Sequence, residues 1–186
     1  KIIALFAKHL LNLKTKTKFP IITTVMSNTG LENYLLSNLN IALKRSSVGD
    51  INVINEMKKY NSILGGEQSG HIILSEYSKT GDGILAALKV SEIISRLKKS
   101  TSSIFNLYKN FPQIKINIPY SKISKDCIQY IENLNNKKTK DKSVRLLVRL
   151  SGTEPIIRIL VEGKDLKLIQ TEAKLIEKNI WIKLGK

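Results

Sequence analysis

The sequence contains few cysteines and histidines and no long apolar run, and these shortages exclude several classes of protein. Its single cysteine, Cys127, excludes an intramolecular disulfide and a thiolate cluster, which fits a reducing compartment. Its two histidines, His9 and His71, lie in no nucleophile motif, so a Ser–His–Asp or Cys–His triad is not expected. No apolar run approaches the roughly 18 residues of a membrane span, so we expect no membrane attachment and a cytoplasmic location.

Positive charge is abundant, with a formal net charge of +16 over 186 residues. Such a charge suggests a nucleic-acid or membrane-surface binder. However, the basic residues are mostly lysines spread along the whole chain, arginine is scarce, and aromatic residues do not alternate with basic ones as in single-strand binders. The one dense run, residues 135–140, is typical of a solvated linker. We therefore expect no nucleic-acid partner, and a basic nucleic-acid binder is kept only as an alternative.

Apolar periodicity divides the first hundred residues into alternating helices and strands. Helices are predicted over 2–13, 31–39, 50–60 and 83–97, and strands over 21–26, 41–45, 63–64 and 72–74. Asn28 or Thr29 is a plausible N-cap for the second helix, and Asp82 for the fourth. The alternation predicts a layered α/β domain with a largely parallel sheet.

The pattern changes after residues 100–112, where we place a domain boundary. Strands are then predicted over 113–118, 144–150 and 156–161, and helices over 123–134 and 166–184. This predicts a smaller α+β domain, so the chain divides into residues 1–105 and 110–186. The predicted buried faces of the two longest helices comprise Leu85, Leu88, Ile93 and Leu97, and Leu168, Ile169, Leu175, Ile176 and Ile180.

A glycine-rich loop, Gly65-Gly66-Glu67-Gln68-Ser69-Gly70-His71, lies between two apolar strands. Glu67, Ser69 and His71 occupy alternate positions, so in an extended loop all three side chains point the same way. A carboxylate beside a hydroxyl and an imidazole suits the edge of a sugar. A polar hairpin loop that binds nothing explains the residues equally well. A metal site is disfavoured, because His71 has no partner at ligand spacing.

A second loop, Ser151-Gly152-Thr153-Glu154-Pro155, is flanked by Arg149 and Arg158. Backbone N–H groups at the glycine turn, two hydroxyls and an arginine fork can together cradle a phosphate. An ordinary β-turn with two solvated arginines is the alternative. The glycine spacing and the missing lysine exclude a Walker loop.

No residue in the sequence is a candidate catalytic nucleophile or metal ligand. The segment Thr80-Gly81-Asp82-Gly83 carries one carboxylate, which is explained better as a helix cap than as part of a cation site. We therefore expect this chain to contribute binding residues, with neither a catalytic residue nor a metal ligand.

Taken in order, these segments resemble the α-D-phosphohexomutase superfamily, and within it the phosphoglucosamine mutases. The glycine-rich loop resembles the family's sugar-binding loop. The segment from Arg149 to Pro155, with Arg158, resembles its phosphate-binding loop. Further similar segments are 24–31, 48–50, 80–83 and 112–113. The similarity covers nearly the whole chain, which is identified as domains three and four of such an enzyme.

The resemblance implies a three-layer α/β domain with a mixed sheet, followed by a small α+β (TBP-like) domain. It implies an isomerase of amino-sugar metabolism that interconverts glucosamine 6-phosphate and glucosamine 1-phosphate, for UDP-N-acetylglucosamine and peptidoglycan precursors. In such enzymes a phosphoserine in domain one exchanges phosphate with the sugar, a bisphosphorylated sugar serves as primer, and Mg²⁺ is bound in domain two. The implied partners are the phosphosugar and the N-terminal half. Without that half, the chain is expected to be inactive.

The resemblance also assigns roles to individual residues. Glu67 and Ser69 would hold sugar hydroxyls with support from His71. The non-reacting phosphate would be held by Arg149, Ser151, Gly152, Thr153 and Arg158. The sequence departs from the family at two positions, with Ile51 in place of an arginine and Leu150 in place of a proline. A non-catalytic phosphosugar-binding remnant, or another phosphohexomutase such as a phosphomannomutase or phosphoglucomutase, remains an alternative.

Overall fold

The computed structural model describes residues 1–10, 19–136 and 144–185. They form two compact units, Lys1–Asn110 and Phe111–Lys186. The elements are α1 (Ile2–Leu10), β1 (Ile21–Thr24), α2 (Thr29–Leu39), β2 (Leu43–Ser46), α3 (Asp50–Lys59), β3 (Leu64–Gly66), β4 (Ile72–Leu74), α4 (Gly83–Leu97), α5 (Thr101–Phe105), β5 (Gln113–Pro119), α6 (Lys125–Asn136), β6 (Val144–Leu150), β7 (Ile156–Gly163) and α7 (Leu166–Lys183). The predicted end of the first helix at Leu13 and most of the linker run, residues 137–140, lie outside the described residues.

The first unit is built on a mixed four-stranded sheet of order β2-β1-β3-β4. β1 pairs in parallel with β2 and β3, and β4 runs antiparallel to β3. All four side chains of β1, which are β-branched, are buried, as expected for a central strand packed on both faces. The strand is shorter than the predicted 21–26, because the Ser27 amide donates to the Thr24 carbonyl oxygen and closes a turn.

Helices cover both faces of this sheet, which confirms the three-layer α/β prediction. On one face, the core includes the fully buried Leu5 and Phe6 of α1 together with residues of α2, α4 and α5. On the other face, Val53 and Met57 of α3 pack against Ile22 and Ile73. Burying each of these large apolar side chains contributes roughly 1.5–3 kcal/mol.

Two predicted caps determine where helices begin. The Asn28 side chain accepts from the Gly30 amide at 2.8 Å, and that of Asp82 accepts from the Leu85 amide at 2.9 Å. Of the two candidates for the first cap, Asn28 is therefore the one observed. The placement of Leu88 in a buried stripe is wrong, since this side chain is 64% exposed. At about 100° per residue it is rotated well away from the buried Ile93.

The second unit is an antiparallel three-stranded sheet of order β5-β7-β6, with α6 and α7 packed on one face. This confirms the predicted small α+β domain. In α7, Ile169, Ile176 and Ile180 are buried, but Leu175 is 52% exposed. The prediction for Leu175 is wrong, because it lies one residue, or about 100°, before Ile176.

β6 lies at an edge of this sheet, and part of that edge is capped by a side chain of α6. The Asn135 amide donates to the Val148 carbonyl oxygen at 2.6 Å and accepts from the Val148 amide at 3.0 Å. A side chain thereby makes the two hydrogen bonds that a further strand would make. Exposed edges are sites of unwanted pairing, and such covering suppresses it.

No helix within residues 1–10, 19–136 and 144–185 is both long and apolar enough to cross a membrane.

Candidate functional site

The glycine-rich loop of the first unit is a tight hairpin between β3 and β4. The Glu67 amide donates to the His71 carbonyl oxygen at 2.9 Å, and the Gly70 amide donates to that of Glu67 at 3.2 Å. Gly70 has φ of 110°, a conformation that favours glycine. The loop is therefore not extended, and the prediction that Glu67, Ser69 and His71 all point the same way does not apply. Ser69 lies exposed at the turn, while Glu67 and His71 face each other across its base.

The Glu67 carboxylate is almost fully buried and makes two contacts within the unit. One oxygen accepts from the Gly49 amide at 2.9 Å, and the other lies 3.2 Å from Nδ1 of His71. The His71 side chain is 60% exposed, whereas that of Glu67 is 8% exposed. When Nδ1 carries a proton and donates to the carboxylate, Nε2 is the ring nitrogen left for a ligand. Glu67 therefore orients the imidazole and also ties the hairpin to the start of α3.

The loop bound by Glu67 contains the Val48-Gly49-Asp50 segment. Gly49 has φ of 118° at the N-cap position of α3, and the Asn52 side chain donates to the Val48 carbonyl oxygen at 2.8 Å. Ile51, where the resemblance predicts an arginine, is 60% exposed. An apolar side chain thus lies two residues after the Gly49 amide that Glu67 contacts, and it supplies no charge there.

The carboxyl ends of the three parallel strands meet at one edge of the sheet, which is where open α/β sheets bind ligands. β1 ends at Thr24, β2 at Ser46 and β3 at Gly66, so the glycine-rich loop emerges at this edge. Sequence reasoning missed Arg45, which lies at the same edge and pairs with Glu32 at 2.8 Å. Its position at the end of a predicted parallel strand was the signal that could have found it.

In the second unit, Arg149 and Arg158 are register partners on β6 and β7. Directly opposite residues of an antiparallel pair project from the same face, so the two arginine side chains leave the sheet on one face from neighbouring positions. Their face is the one opposite α6 and α7, since the alternate residues Val148, Ile157 and Ile159 point into the core. This places two cations on the face of the sheet that carries neither helix, called the open face below, where Leu160 and Glu162 are nevertheless buried.

The surroundings of Arg149 disfavour its positive charge. Burial first, and the Arg158 charge second, lower the pKa of the Arg149 guanidinium from its ordinary value. In both residues Nε is buried without a hydrogen-bond partner among the described residues. Like charges opposite each other across a sheet are destabilising. The pair is therefore an energetically unfavourable arrangement that a bound anion would relieve.

The loop Ser151–Pro155 lies at the end of this pair of strands. It is closed by the Ser151 amide, which donates to the Ile156 carbonyl oxygen at 2.8 Å. Gly152 and Thr153 are exposed, and space is open around Gly152. The five predicted phosphate-binding residues of the second unit are thus brought together at one end of its sheet.

Sequence reasoning missed one residue of this cluster, Asn117 on β5. It is the register partner of Arg158 on the side away from Arg149, so the three side chains form one row across the open face. Asn117 is exposed and can donate and accept hydrogen bonds. The polar–apolar alternation of β5 indicated that Asn117 points outward. Only the pairing register of β5 with β7 placed it beside Arg158.

The predicted residues thus fall into two groups that belong to different units. Glu67, Ser69 and His71 lie in the hairpin of the first unit, and the arginine pair with its loop lies in the second. In the described part of the chain, no group of three or more His, Cys, Asp or Glu side chains could hold a metal ion. The described residues therefore offer no such cluster of ligands for Mg²⁺.

Comparison with known protein families matches both units. Residues 1–111 match the model of phosphoglucomutase/phosphomannomutase, alpha/beta/alpha domain III, and residues 116–178 match that of the phosphoglucomutase/phosphomannomutase C-terminal domain.

Among curated proteins, the chain is similar to several phosphoglucosamine mutases. It is 43% identical to that of Fusobacterium nucleatum over 190 residues, which cover 97% of this chain and 42% of the relative. It is 42% identical to that of a Sulfurovum species over 92% of this chain and 38% of the relative. The chain thus spans less than half the length of the curated relatives it matches.

Solved structures share the fold. A crystal structure of N-acetylglucosamine-phosphate mutase in the substrate complex matches with a TM-score of 0.74 and 19% identity, over 96% of this chain and 43% of that one. The Aspergillus fumigatus N-acetylphosphoglucosamine mutase matches with a TM-score of 0.79 and 16% identity, over 98% and 43%. Another structure of the Aspergillus enzyme, in complex with GlcNAc-6P and magnesium, has a TM-score of 0.71 and 17% identity over 96% and 45%. With both units matched in order, the chain belongs to the phosphoglucomutase/phosphomannomutase family.

Proposed function

We propose that this chain is the substrate-binding portion of a phosphoglucosamine mutase. The first unit would bind the sugar hydroxyls through Glu67, Ser69 and His71. The second unit would hold the non-reacting phosphate through Arg149, Arg158 and the loop between their strands. The enzyme to which it belongs would interconvert glucosamine 6-phosphate and glucosamine 1-phosphate in the cytoplasm.

The cross-strand pair of Arg149 and Arg158 is the observation that supports this proposal best. Two guanidinium groups on one face of the sheet offer several N–H donors, which bind phosphate oxygens through charge-assisted hydrogen bonds. A dianion between them replaces a repulsion by two attractions. The Ser151 and Thr153 hydroxyls, with the open backbone at Gly152, add neutral donors at the same end of the sheet.

The hairpin of the first unit supports the sugar-binding role. Its exposed residues include a hydroxyl, Ser69, and an imidazole, His71, and the latter is oriented by a buried carboxylate. Hydroxyl and imidazole groups both donate and accept hydrogen bonds, as sugar hydroxyls require. Because Glu67 already accepts from Gly49, its contribution to a sugar is its remaining acceptor capacity and its hold on His71.

Chemistry would come from the rest of the enzyme. The catalytic serine and the carboxylates that hold Mg²⁺ would lie in an N-terminal half, and a bisphosphorylated sugar would serve as primer. Holding the non-reacting phosphate in the same place lets either end of the sugar be positioned for transfer. This chain would thus bind and orient substrate without taking part in bond breaking.

Calorimetric titration of the chain with glucosamine 6-phosphate tests the proposal. We expect Arg149→Ala to weaken binding about tenfold or more, because a charge-assisted hydrogen bond is worth about 1.5–3 kcal/mol. Glucosamine without phosphate should bind the two proteins equally. Arg96→Ala, which removes an exposed arginine of α4 in the first unit, is the charge-matched control. Equal affinity of Arg149→Ala and the parent for the phosphosugar would refute the phosphate assignment.

A complementation assay separates a half-enzyme from a binding remnant. The chain is mixed with a separately produced N-terminal half, Mg²⁺ and a bisphosphorylated primer, and glucosamine 1-phosphate formation is followed. Conversion only in the mixture supports the mutase. Phosphosugar binding without conversion in any mixture indicates a non-catalytic module, and faster conversion of glucose or mannose phosphates indicates another phosphohexomutase.

A further inference from the structure

The anion position beside Arg158 is occupied by a carboxylate of the same loop. Glu154 lies 2.7 Å from Nη2 of Arg158, with side-chain exposures of 53% and 38%. The Ile156 amide donates to the Glu154 carbonyl oxygen at 2.8 Å. This bond turns the chain and brings the carboxylate back over β7.

A second arginine–glutamate pair of the same sheet is more buried and provides a comparison. At the far end of the open face, Arg145 contacts Glu162 at 3.3 Å, and Glu162 is 1% exposed. Gln113 also donates to the Glu162 carboxylate. That carboxylate is enclosed by strand neighbours, whereas Glu154 is on an exposed turn and reaches Arg158 through solvent-accessible atoms.

Exposed ion pairs contribute little to stability, because water and salt compete for both charges. Glu154 can therefore leave Arg158 at small cost. Arg149, beside Arg158, has no ion-pair partner among the described residues, and its one hydrogen bond within them runs to the Leu150 carbonyl oxygen at 3.4 Å. Glu154 thus pairs with one of the two cations, whereas a phosphate dianion could pair with both.

We propose that Glu154 is an exchangeable counter-ion that occupies the phosphate position on Arg158 and must be displaced when a phosphate group binds. The inference rests on the phosphate-binding role proposed above. It makes Glu154 a competitor that weakens phosphate binding. Moderate affinity suits a site that must release a phosphosugar and grip it again.

The competitor role fixes the sign of the expected effect. Glu154→Gln keeps the size of the side chain but removes the charge, so Arg158 is freed for phosphate. Inorganic phosphate should then bind the full chain about two- to fivefold more tightly, the range that corresponds to losing one exposed ion pair. If Glu154 instead held Arg158 in place for the ligand, the same substitution would weaken binding.

The experiment is calorimetric titration of the full chain with inorganic phosphate at low ionic strength. The variants are Glu154→Gln, Glu154→Ala, Arg149→Ala and the control Glu132→Gln, which makes the same charge change at an exposed position of α6. Tighter binding in both Glu154 variants, beyond that of Glu132→Gln, supports the competitor role.

Two other outcomes separate the inference from the function it rests on. If Arg149→Ala loses binding while Glu154→Gln matches the control or binds more weakly, Glu154 is no competitor and the phosphate site stands. If no protein binds phosphate, or Arg149→Ala binds as the parent does, the phosphate site is wrong and the inference falls with it.

Discussion

Replacing Glu67 by alanine should loosen two loops of the first unit at once. Its buried carboxylate accepts from the Gly49 amide at 2.9 Å and lies 3.2 Å from Nδ1 of His71. In Glu67→Ala the amide at the start of α3 loses its acceptor and the imidazole loses the group that orients it. The variant is therefore expected to destabilise the first unit as well as to weaken sugar binding.

The size of the effect follows from these contacts. A hydrogen bond to a charged acceptor is worth about 1.5–3 kcal/mol, so the free energy of unfolding of the first unit should fall by about that amount. At about 4 °C per kcal/mol for a unit of this size, the melting temperature should fall by roughly 6–12 °C. In Glu67→Gln the amide oxygen still accepts from Gly49, so a loss of only about 0.5–1.5 kcal/mol is expected.

Thermal unfolding followed by circular dichroism measures the stability change, and amide hydrogen exchange at Gly49 reports the contact itself. Glu92→Ala is the matched control, since Glu92 is 60% exposed and makes only a surface pair with Lys89 at 3.0 Å. Its effect should stay within about 0.5 kcal/mol. If Glu67→Ala has the same melting temperature as the control and the Gly49 amide exchanges at an unchanged rate, the carboxylate does not link the two loops.

Three further predictions concern the second unit. Asn135→Ala should lower its free energy of unfolding by about 1–3 kcal/mol, because two hydrogen bonds to Val148 are lost; urea denaturation followed by Trp181 fluorescence checks this, and an unchanged midpoint would contradict it. Burial foremost, with Asp126 adding and Lys183 opposing, raises the pKa of the Cys127 thiol. The native thiol should therefore react with a chromogenic disulfide reagent far more slowly than the denatured one, and equal rates would contradict this. Since the folded state keeps a proton that the unfolded thiol releases above about pH 8.5, stability should fall as the pH rises beyond that value.

Local sequence patterns were sufficient for most of the fold. The helices and strands follow from apolar periodicity, and the caps at Asn28 and Asp82 follow from residue type, because both signals act over a few neighbouring residues. The short α5 was missed, since five residues are too few to show a period. In the first unit, several loops meet at one edge of the sheet. The predicted parallel strands indicated that such an edge exists, but they did not show which side chains lie there.

The candidate site divides in the same way. The sequence by itself determined which loops carry sugar- and phosphate-compatible groups, because glycines, hydroxyls and arginines are readable in one dimension. Only the tertiary structure decided that Glu67 binds Gly49, and that Arg149, Arg158 and Asn117 form one row. The physical reason is that both arrangements depend on contacts between distant segments. For Arg149, Arg158 and Asn117 the deciding contact is strand pairing, and a shift of the register by one residue would turn a side chain to the opposite face.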